Sequence, residues 1–480
     1  MEVNKEPKKP TQNRILKDDL PTFGVRHLQG LVIFFGIFSA YLIRVNLSVA
    51  IVAMSPEMNS TDYFEEKTHH ISTFQWNGTT KSLLLASFFI GYMLGNFPGS
   101  VLGCHFNNKT LLLFSTISTS ALALVTPLAV TTYGATALFL IRLVQGLVQS
   151  LLMPMCNGIM ARWIPPVERG RLMGFVVSSV QLGTMTTLAG SGWLASTRVG
   201  WPSIFYVGGT INLTWAVIFY FLGAETPQAH ALISRHEIRY IEESLQGLSH
   251  STSKAKVTPW KEIFTSLPLL ALTSSHLGQS LGFWLLLSEM PTFISVVHNF
   301  KIKDNGMLTA LPYLTMFLLQ IPVSYIAEIF NKQQCMSVTT SRKMWNSVSM
   351  WGGAFGLILL GFLDESAIAT IVLYISIVAI GCCCNLGFNL NHMDLSPNYA
   401  GLLMGITNAI ASSGGIFAPL VVGIVIKDQK SITQWRYVFF TGAGILFFSN
   451  LFFVLFGSAE TQPWNSLPEV KKKNEPVKKV

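Results

Sequence analysis

Two arginines interrupt long apolar stretches of this 480-residue chain: Arg44 in YLIRVNLSVAIVAM and Arg142 in RLVQGLVQSLLM. A cation inside a lipid-spanning helix is costly and marks a substrate or ion path. Side chains three, four and seven apart share a helix face. By that rule Tyr41, Arg44 and Ser48 align, as do Arg142, Gln145, Gln149 and Cys156. His276, Gln279 and Phe283 form a third such face, and Asn385, Asn389 and His392 a fourth. All four faces are unsuited to lipid and are expected to turn inward. Arg44, Arg142 and Glu289 each lie roughly seven or eight residues from the outer end of their segment, which at 1.5 Å per residue puts all three about 10–12 Å below one surface. Two cations and one carboxylate leave a positive surplus, for which phosphate or a carboxylate is the natural guest. The candidate substrate-binding residues are therefore Arg44, Arg142, Tyr41, Gln145, Gln149, Gln279, Asn385 and Asn389. The alternative makes one arginine a structural ion-pair partner of Glu289. Glu289 and His276 are the candidate coupling residues, although a satisfied structural histidine is the plainer reading of His276.

The elements that must hold these faces are membrane spans. The chain is 50% hydrophobic and 12% charged, against about 25% charged in soluble proteins. Crossing the hydrocarbon core takes about 20 apolar residues. Twelve segments qualify, roughly 28–52, 82–103, 109–130, 135–161, 172–196, 203–223, 267–296, 307–330, 345–363, 367–391, 401–426 and 436–457. The expected fold is an all-α membrane protein of twelve transmembrane helices in two pseudo-symmetric six-helix halves. Its divisions are a tail 1–27, a first bundle 28–223, a linker 224–266, a second bundle 267–457 and a tail 458–480. An internal echo supports the halves: Pro166, Gly170, Leu172, Met173, Gly174, Gly183 and Gly192 recur 231 residues later, as Pro397, Gly401, Leu403, Met404, Gly405, Gly414 and Gly423. Same-direction repeats of half a chain are a common transporter plan.

The net charge of +9 is a matter of orientation. With both termini cytoplasmic, the tails and the loops on that side hold 23 of the 33 Lys and Arg, as the positive-inside rule requires. That distribution argues for contact with a lipid bilayer and against nucleic acid. Two glycosylation sequons, at Asn59 and Asn77, fall in the first external loop. Other matches, such as those at Asn46 and Asn212, lie within spans and are expected to be inert. The six cysteines avoid that loop, so no disulfide framework is implied, and the Cys382–Cys384 run lacks metal-ligand spacing. No cleavable leader is expected, because a polar tail precedes a first apolar block of full span length.

Loop chemistry suggests control points. In WIPPVERGRL, the prolines stop a helix, and Glu168, Arg169 and Arg171 form a charge cluster at the membrane face. The plain reading is interfacial anchoring; the sharper one is a cytoplasmic gate. Asp394, in NHMDLSP, either caps the next helix or pairs with the Arg162 region. In the linker, ISRHEIRYIEESL has helical spacing and a Ser234–Glu237 capping box.

The strings YLIRVNLSVAIVAM, RLVQGL, RWIPPVERGRLMG, GWPSIFYVGG, LTALPYL and FNLNHMDLSPNYAGLLMGITN resemble the anion:cation symporter family of the major facilitator superfamily. The likeness runs from about residue 25 to 465 and is strongest to insect-type inorganic phosphate cotransporters. It implies two six-helix bundles around a central cavity, working by rocker-switch alternating access. It also implies anion binding by the arginines that match Arg44 and Arg142. Proton-coupled members carry glutamate where Gln149 stands, and glutamate-carrying relatives carry arginine where Gln279 stands. Both departures point away from proton coupling at that site and from a vesicular glutamate carrier. The loop GSVLGCHFNNKT resembles the superfamily's motif A, with its glycines and Lys109 kept and its usual acid absent.

The expected function is secondary active transport of a small anion, phosphate or organic, coupled to sodium as a possible ion or to membrane potential. Such a carrier would act as a monomer in the plasma membrane. Two alternatives are a proton-coupled carrier of acidic sugars or acidic amino acids in a lysosomal or vesicular membrane, and a nutrient receptor without turnover. No catalytic motif supports an enzyme.

Overall fold

The computed structural model describes residues 23–55, 73–195, 197–245, 258–297, 302–333, 335–363, 366–427 and 431–465. Residues 1–22 and 466–480 of the tails and the Asn59 sequon lie outside that set. Nine helical stretches among the described residues are long and apolar enough to cross a membrane. The first half consists of α1 (Val25–Met54), α2 (Gly78–His105), α3 (Asn108–Gln149), α4 (Leu152–Trp163), α5 (Arg169–Ala195) and α6 (Pro202–Leu222). In the linker come α7 (Arg235–Leu245) and α8 (Trp260–Phe264). The second half consists of α9 (Leu267–Val297), α10 (Ile302–Lys332), α11 (Val338–Leu360), α12 (Ala367–Ile380), α13 (Phe388–Leu395), α14 (Ala400–Ser412), α15 (Gly414–Val425) and α16 (Ile432–Phe456).

Four joints reconcile these helices with the twelve expected segments. The helix α3 is two rods folded at Gly134, where φ is +64°, a conformation that favours glycine. The rods return side by side: Ser115 Oγ donates to Val148 O (2.8 Å) and Gln145 Nε2 to Thr119 O (3.4 Å). The second rod continues into α4. A short 3₁₀ turn, Gly381–Asn385, breaks the tenth span between α12 and α13. Ser413 marks the joint between α14 and α15 in the eleventh span.

Each half is pinned by a buried asparagine. Asn212 accepts from Ser39 Oγ (2.8 Å) and donates to Ser120 Oγ (2.9 Å). Asn450 accepts from Asn346 Nδ2 (2.8 Å) and donates to Ser347 Oγ (2.9 Å). Asn46 and Asn212 are fully buried, so neither spanning sequon is accessible. Asn77 is exposed and caps α2 by accepting from Thr80 N (2.8 Å).

Three of the repeat glycines, Gly174, Gly401 and Gly405, make close contacts between the halves. A Cβ on Gly174 of α5 would lie 2.1 Å from Ser324 Oγ of α10. On Gly405 of α14 it would lie 2.1 Å from Ser100 Cβ of α2. The same approach, helix to helix without a side chain between, is therefore made twice, on either side of the pseudo-twofold. Gly401 joins it, with its Cβ position 2.7 Å from Pro154 O. These crossings lie toward the face that carries both described ends of the chain.

Gly405→Leu is expected to force α14 off α2. Spin labels on the two helices should show a longer separation than in wild type. Gly444→Leu, at a position whose Cβ meets nothing within 4 Å, should leave the distance unchanged.

Candidate functional site

Arg142 and Arg44 take unequal parts. Arg142 is 2% exposed and aims its fork at the main chain of α1. Its Nη1 donates to Ile43 O (3.0 Å), Gln145 Oε1 (3.2 Å) and Asn46 Oδ1 (3.4 Å), and its Nη2 to Arg44 O (3.2 Å). A helix carbonyl retains a second lone pair after its intrahelical bond, so these contacts leave α1 intact. Gln149 Nε2 adds a bond to Ala40 O (3.0 Å). The arginine and glutamine face found in the sequence is thus a clamp that holds α1 beside the second rod of α3.

Arg44 is the presented group. Its guanidinium carbon lies 4.1 Å from the Tyr92 ring centroid, 5.2 Å from Tyr41, 5.4 Å from Phe88 and 5.7 Å from Phe89. Aromatic faces stabilise a cation by about 0.5–2 kcal/mol each. Beyond such ring contacts, a guanidinium keeps N–H donors that suit a bidentate anion. One such donor, Nη1, reaches Tyr41 Oη at 3.5 Å. Among the described residues Nε is buried without a partner. Among the described residues, the contacts of both arginines are carbonyls, amides, a hydroxyl and rings, and none is a carboxylate. The alternative pairing of an arginine with Glu289 is not among these contacts.

Tyr92, Phe88 and Phe89 escaped the sequence reading, because aromatic residues in a span look like any apolar face. Tyr92 also bridges the halves: its hydroxyl accepts from Asn408 Nδ2 of α14 (2.8 Å), which reaches Asn96 Oδ1 as well (2.9 Å).

In the second half, Gln279 lines a small, mainly apolar cavity of about 30 Å³ with Phe283, Tyr313, Met316, Ser349 and Gly381. Asn385 and Asn389 stand apart from it. Asn385 Nδ2 donates to Gln320 Oε1 (2.7 Å), Asn389 Nδ2 to Asn385 Oδ1 (3.2 Å) and Gln320 Nε2 to Ser324 Oγ (2.9 Å). These amides form a ladder that steadies the broken tenth span against α10. His276 contacts Thr407 (3.0 Å) rather than Gln279, and Glu289 lies half-buried farther along α9.

Near the terminal face, charges join the two halves. Arg169 Nη1 bonds Asp394 Oδ1 (2.9 Å), and Arg342 Nε bonds Asp394 Oδ2 (2.7 Å). Arg171 pairs with Glu328 (3.2 Å). Asp394 therefore caps no helix, and its partner is Arg169 rather than Arg162. Arg162 pairs instead with Glu225, which also accepts from Lys109 N (2.9 Å). Glu225 thus supplies a carboxylate to the loop that lacks the motif A acid. Glu168 stays within the first half, paired with Arg26 (2.8 Å). Ser234 caps α7 as expected, accepting from Glu237 N (3.1 Å). The Glu237 carboxylate turns away from Ser234, accepting from Val25 N (3.0 Å), Arg26 N (3.1 Å) and Arg26 Nη1 (3.0 Å). A carboxylate from the linker therefore caps α1. Burial pushes the Tyr240 phenol, beside Glu168, up to about 12. Burial alone would raise the Glu168 carboxyl, but hydrogen bonds and charge from Arg26 hold it below its ordinary value.

Residues 33–419 match the Major Facilitator Superfamily. The chain belongs to that superfamily. Its relatives carry anion-carrier names. A Drosophila ananassae protein named "Putative inorganic phosphate cotransporter" is 34% identical over 458 residues, 92% of this chain and 94% of its own. Human sialin is 33% identical over 92% of this chain and 90% of its own length. Human vesicular glutamate transporter 2 is 33% identical over 93% and 76% respectively. The fold matches the proton:xylose symporter XylE bound to 6-bromo-6-deoxy-D-glucose, with a TM-score of 0.67 at 15% identity over 90% of this chain and 98% of that one. This member of the superfamily is an integral multi-pass membrane protein of the transporter class, and not an enzyme.

Asp394→Asn would leave Arg169 and Arg342 buried around a neutral amide, a change that costs about 3–5 kcal/mol in buried pairs. The expected result is a lower melting temperature, with less additional loss when Arg169→Met is combined with it than the two single losses would sum to. Glu168 carries a lowered pKa, so its stabilisation is complete above the ordinary carboxylate range and fades as pH falls through its folded value. Thermal melts should show a weaker acid-side loss in Glu168→Gln than in wild type.

Proposed function

We propose that this superfamily member is a secondary active carrier of a small anion, inorganic phosphate or an organic acid, working by alternating access. The observation that carries the reading is Arg44: a cation at span depth, held by aromatic faces and backed by Arg142, with no carboxylate among its partners. A dianion or a carboxylate neutralises that surplus and satisfies the free edge of the fork. The relatives' names, which include phosphate, sialin and glutamate carriers, support the same class.

The terminal face is cytoplasmic in this reading, as the basic loops require. Arg169–Asp394 and Arg171–Glu328 are then its gate, and the structure is closed on that side. Gln149 cannot titrate, so sodium or membrane potential drives the anion, with Glu289 as a further coupling residue. The carrier works as a monomer in the plasma membrane, with Asn59 and Asn77 as external glycosylation sites. The second reading, a proton-coupled organic-anion carrier, gains support from one observation: His276 and His392 meet on a single hydroxyl.

Labelled phosphate uptake into proteoliposomes should be saturable and faster with an inward sodium gradient than with potassium at fixed voltage. Arg44→Lys should raise KM, since a point charge replaces the planar fork. Absence of phosphate uptake, with transport of sialic acid or glutamate in the same vesicles, would move the substrate to the organic acids.

A further inference from the structure

A hydrogen-bonded chain crosses three helices of the second half. His276 Nδ1 of α9 lies 3.0 Å from Thr407 Oγ1 of α14, and His392 Nε2 of α13 lies 2.8 Å from the same oxygen. His392 Nδ1 lies 3.0 Å from Asn389 O. The two imidazole centroids are 5.9 Å apart. His392 is fully buried, whereas His276 retains partial exposure. The arrangement therefore has an accessible end and an enclosed end.

The donor inventory restricts where protons sit. Asn389 O only accepts, so His392 Nδ1 carries a proton. In the neutral state His392 Nε2 accepts the Thr407 hydroxyl proton, and His276 Nδ1–H donates to Thr407 Oγ1. The hydroxyl's remaining contact, Met404 O at 3.3 Å, is a longer one within its own helix. We propose that His276, Thr407 and His392 form a proton-binding relay, loaded at His276 and holding its proton at His392. A proton arriving on His276 Nε2 lets the Nδ1 proton pass to Thr407 Oγ1 while the hydroxyl proton passes to His392 Nε2. Thr407 ends neutral, His276 ends neutral as the Nε2–H tautomer, and His392 becomes an imidazolium with both N–H groups bonded. One proton has entered, and no group is left unpartnered along the chain.

The held charge has a destination. The ionisable groups on the elements around His392 are His276 and Glu289 on α9, Arg342 and Lys343 on α11, Arg169 and Arg171 on α5, the cysteines of the 3₁₀ turn, and Asp394 on its own helix. Asp394 already bridges Arg169 and Arg342. A third positive charge two residues away competes for that carboxylate and weakens its hold on Arg169, the tie between the halves. The relay thus links proton occupancy to opening of the terminal face, and it rests on the second reading, that of a proton-coupled anion carrier.

The test is imidazole titration by nitrogen NMR on full-length, ¹⁵N-histidine-labelled protein in lipid nanodiscs, with His276→Gln and His392→Gln assigning the two rings among ten histidines. The two rings should titrate as a linked pair in wild type and in Thr407→Ser, and independently in Thr407→Val. Unlinked titration in wild type, or unaltered linkage in Thr407→Val, overturns the relay. In proteoliposomes, labelled phosphate, sialic acid and glutamate are then compared under an inward proton gradient and in equal-pH exchange. Thr407→Val should lose gradient stimulation while keeping exchange; stimulation equal to that of wild type overturns the coupling. Failure of all three probes to move in wild type would overturn the carrier reading and leave the titration result standing.

Discussion

Positive charge held at span depth, with no carboxylate beside it among the described residues, governs this structure. A guanidinium at span depth needs its donors and its field satisfied. Here neutral groups meet that need in two ways. Carbonyl and amide oxygens surround Arg142, and aromatic faces surround Arg44. The first solution ties α1 to α3; the second leaves a fork edge open. The placement of Arg44 and the joining of α1 to α3 both follow from that division of labour.

The ring beneath Arg44 extends this logic to the other half. Tyr92 carries the shortest of the cation–π contacts and also accepts from Asn408 across the interface. Its helix, α2, is the one that Gly405 lets α14 approach. Occupancy of the Arg44 edge and separation of the two halves therefore act on one side chain. At the terminal face, Asp394 plays a comparable part, because a single carboxylate holds one arginine from each half.

Much of this was legible in the sequence, for reasons that differ by feature. The spans were visible because lipid demands long apolar runs, and the halves because a duplicated crossing requires glycine at matching positions. Gly174 and Gly405 show that the echo reports contact geometry. Arg44 stood out because charge in a span is rare. The role of Arg142 was hidden, since its acceptors are main-chain oxygens nearly a hundred residues away, and carbonyls leave no signature in residue type. Tyr92 and Asn408 were hidden for the opposite reason: their types are ordinary, and only the fold brings them together. The charge cluster at the terminal face was half legible. Arg169, Arg171 and Asp394 were visible as charges at a membrane face, but Glu328 and Arg342 sit at the ends of neighbouring spans, with no spacing to pair them. Glu168 was assigned to that cluster by proximity in sequence, whereas the fold delivers it to Arg26.

The clamp from Arg142 has a consequence for how such a site can change over time. It grips Ile43 and Arg44 by their carbonyl oxygens, atoms that every amino acid possesses. Replacing the side chain at position 44 would leave both of those bonds in place. The scaffold is therefore indifferent to the very residue it displays. That indifference makes the position evolvable: new specificities can be tried there without rebuilding the helix pair that supports them.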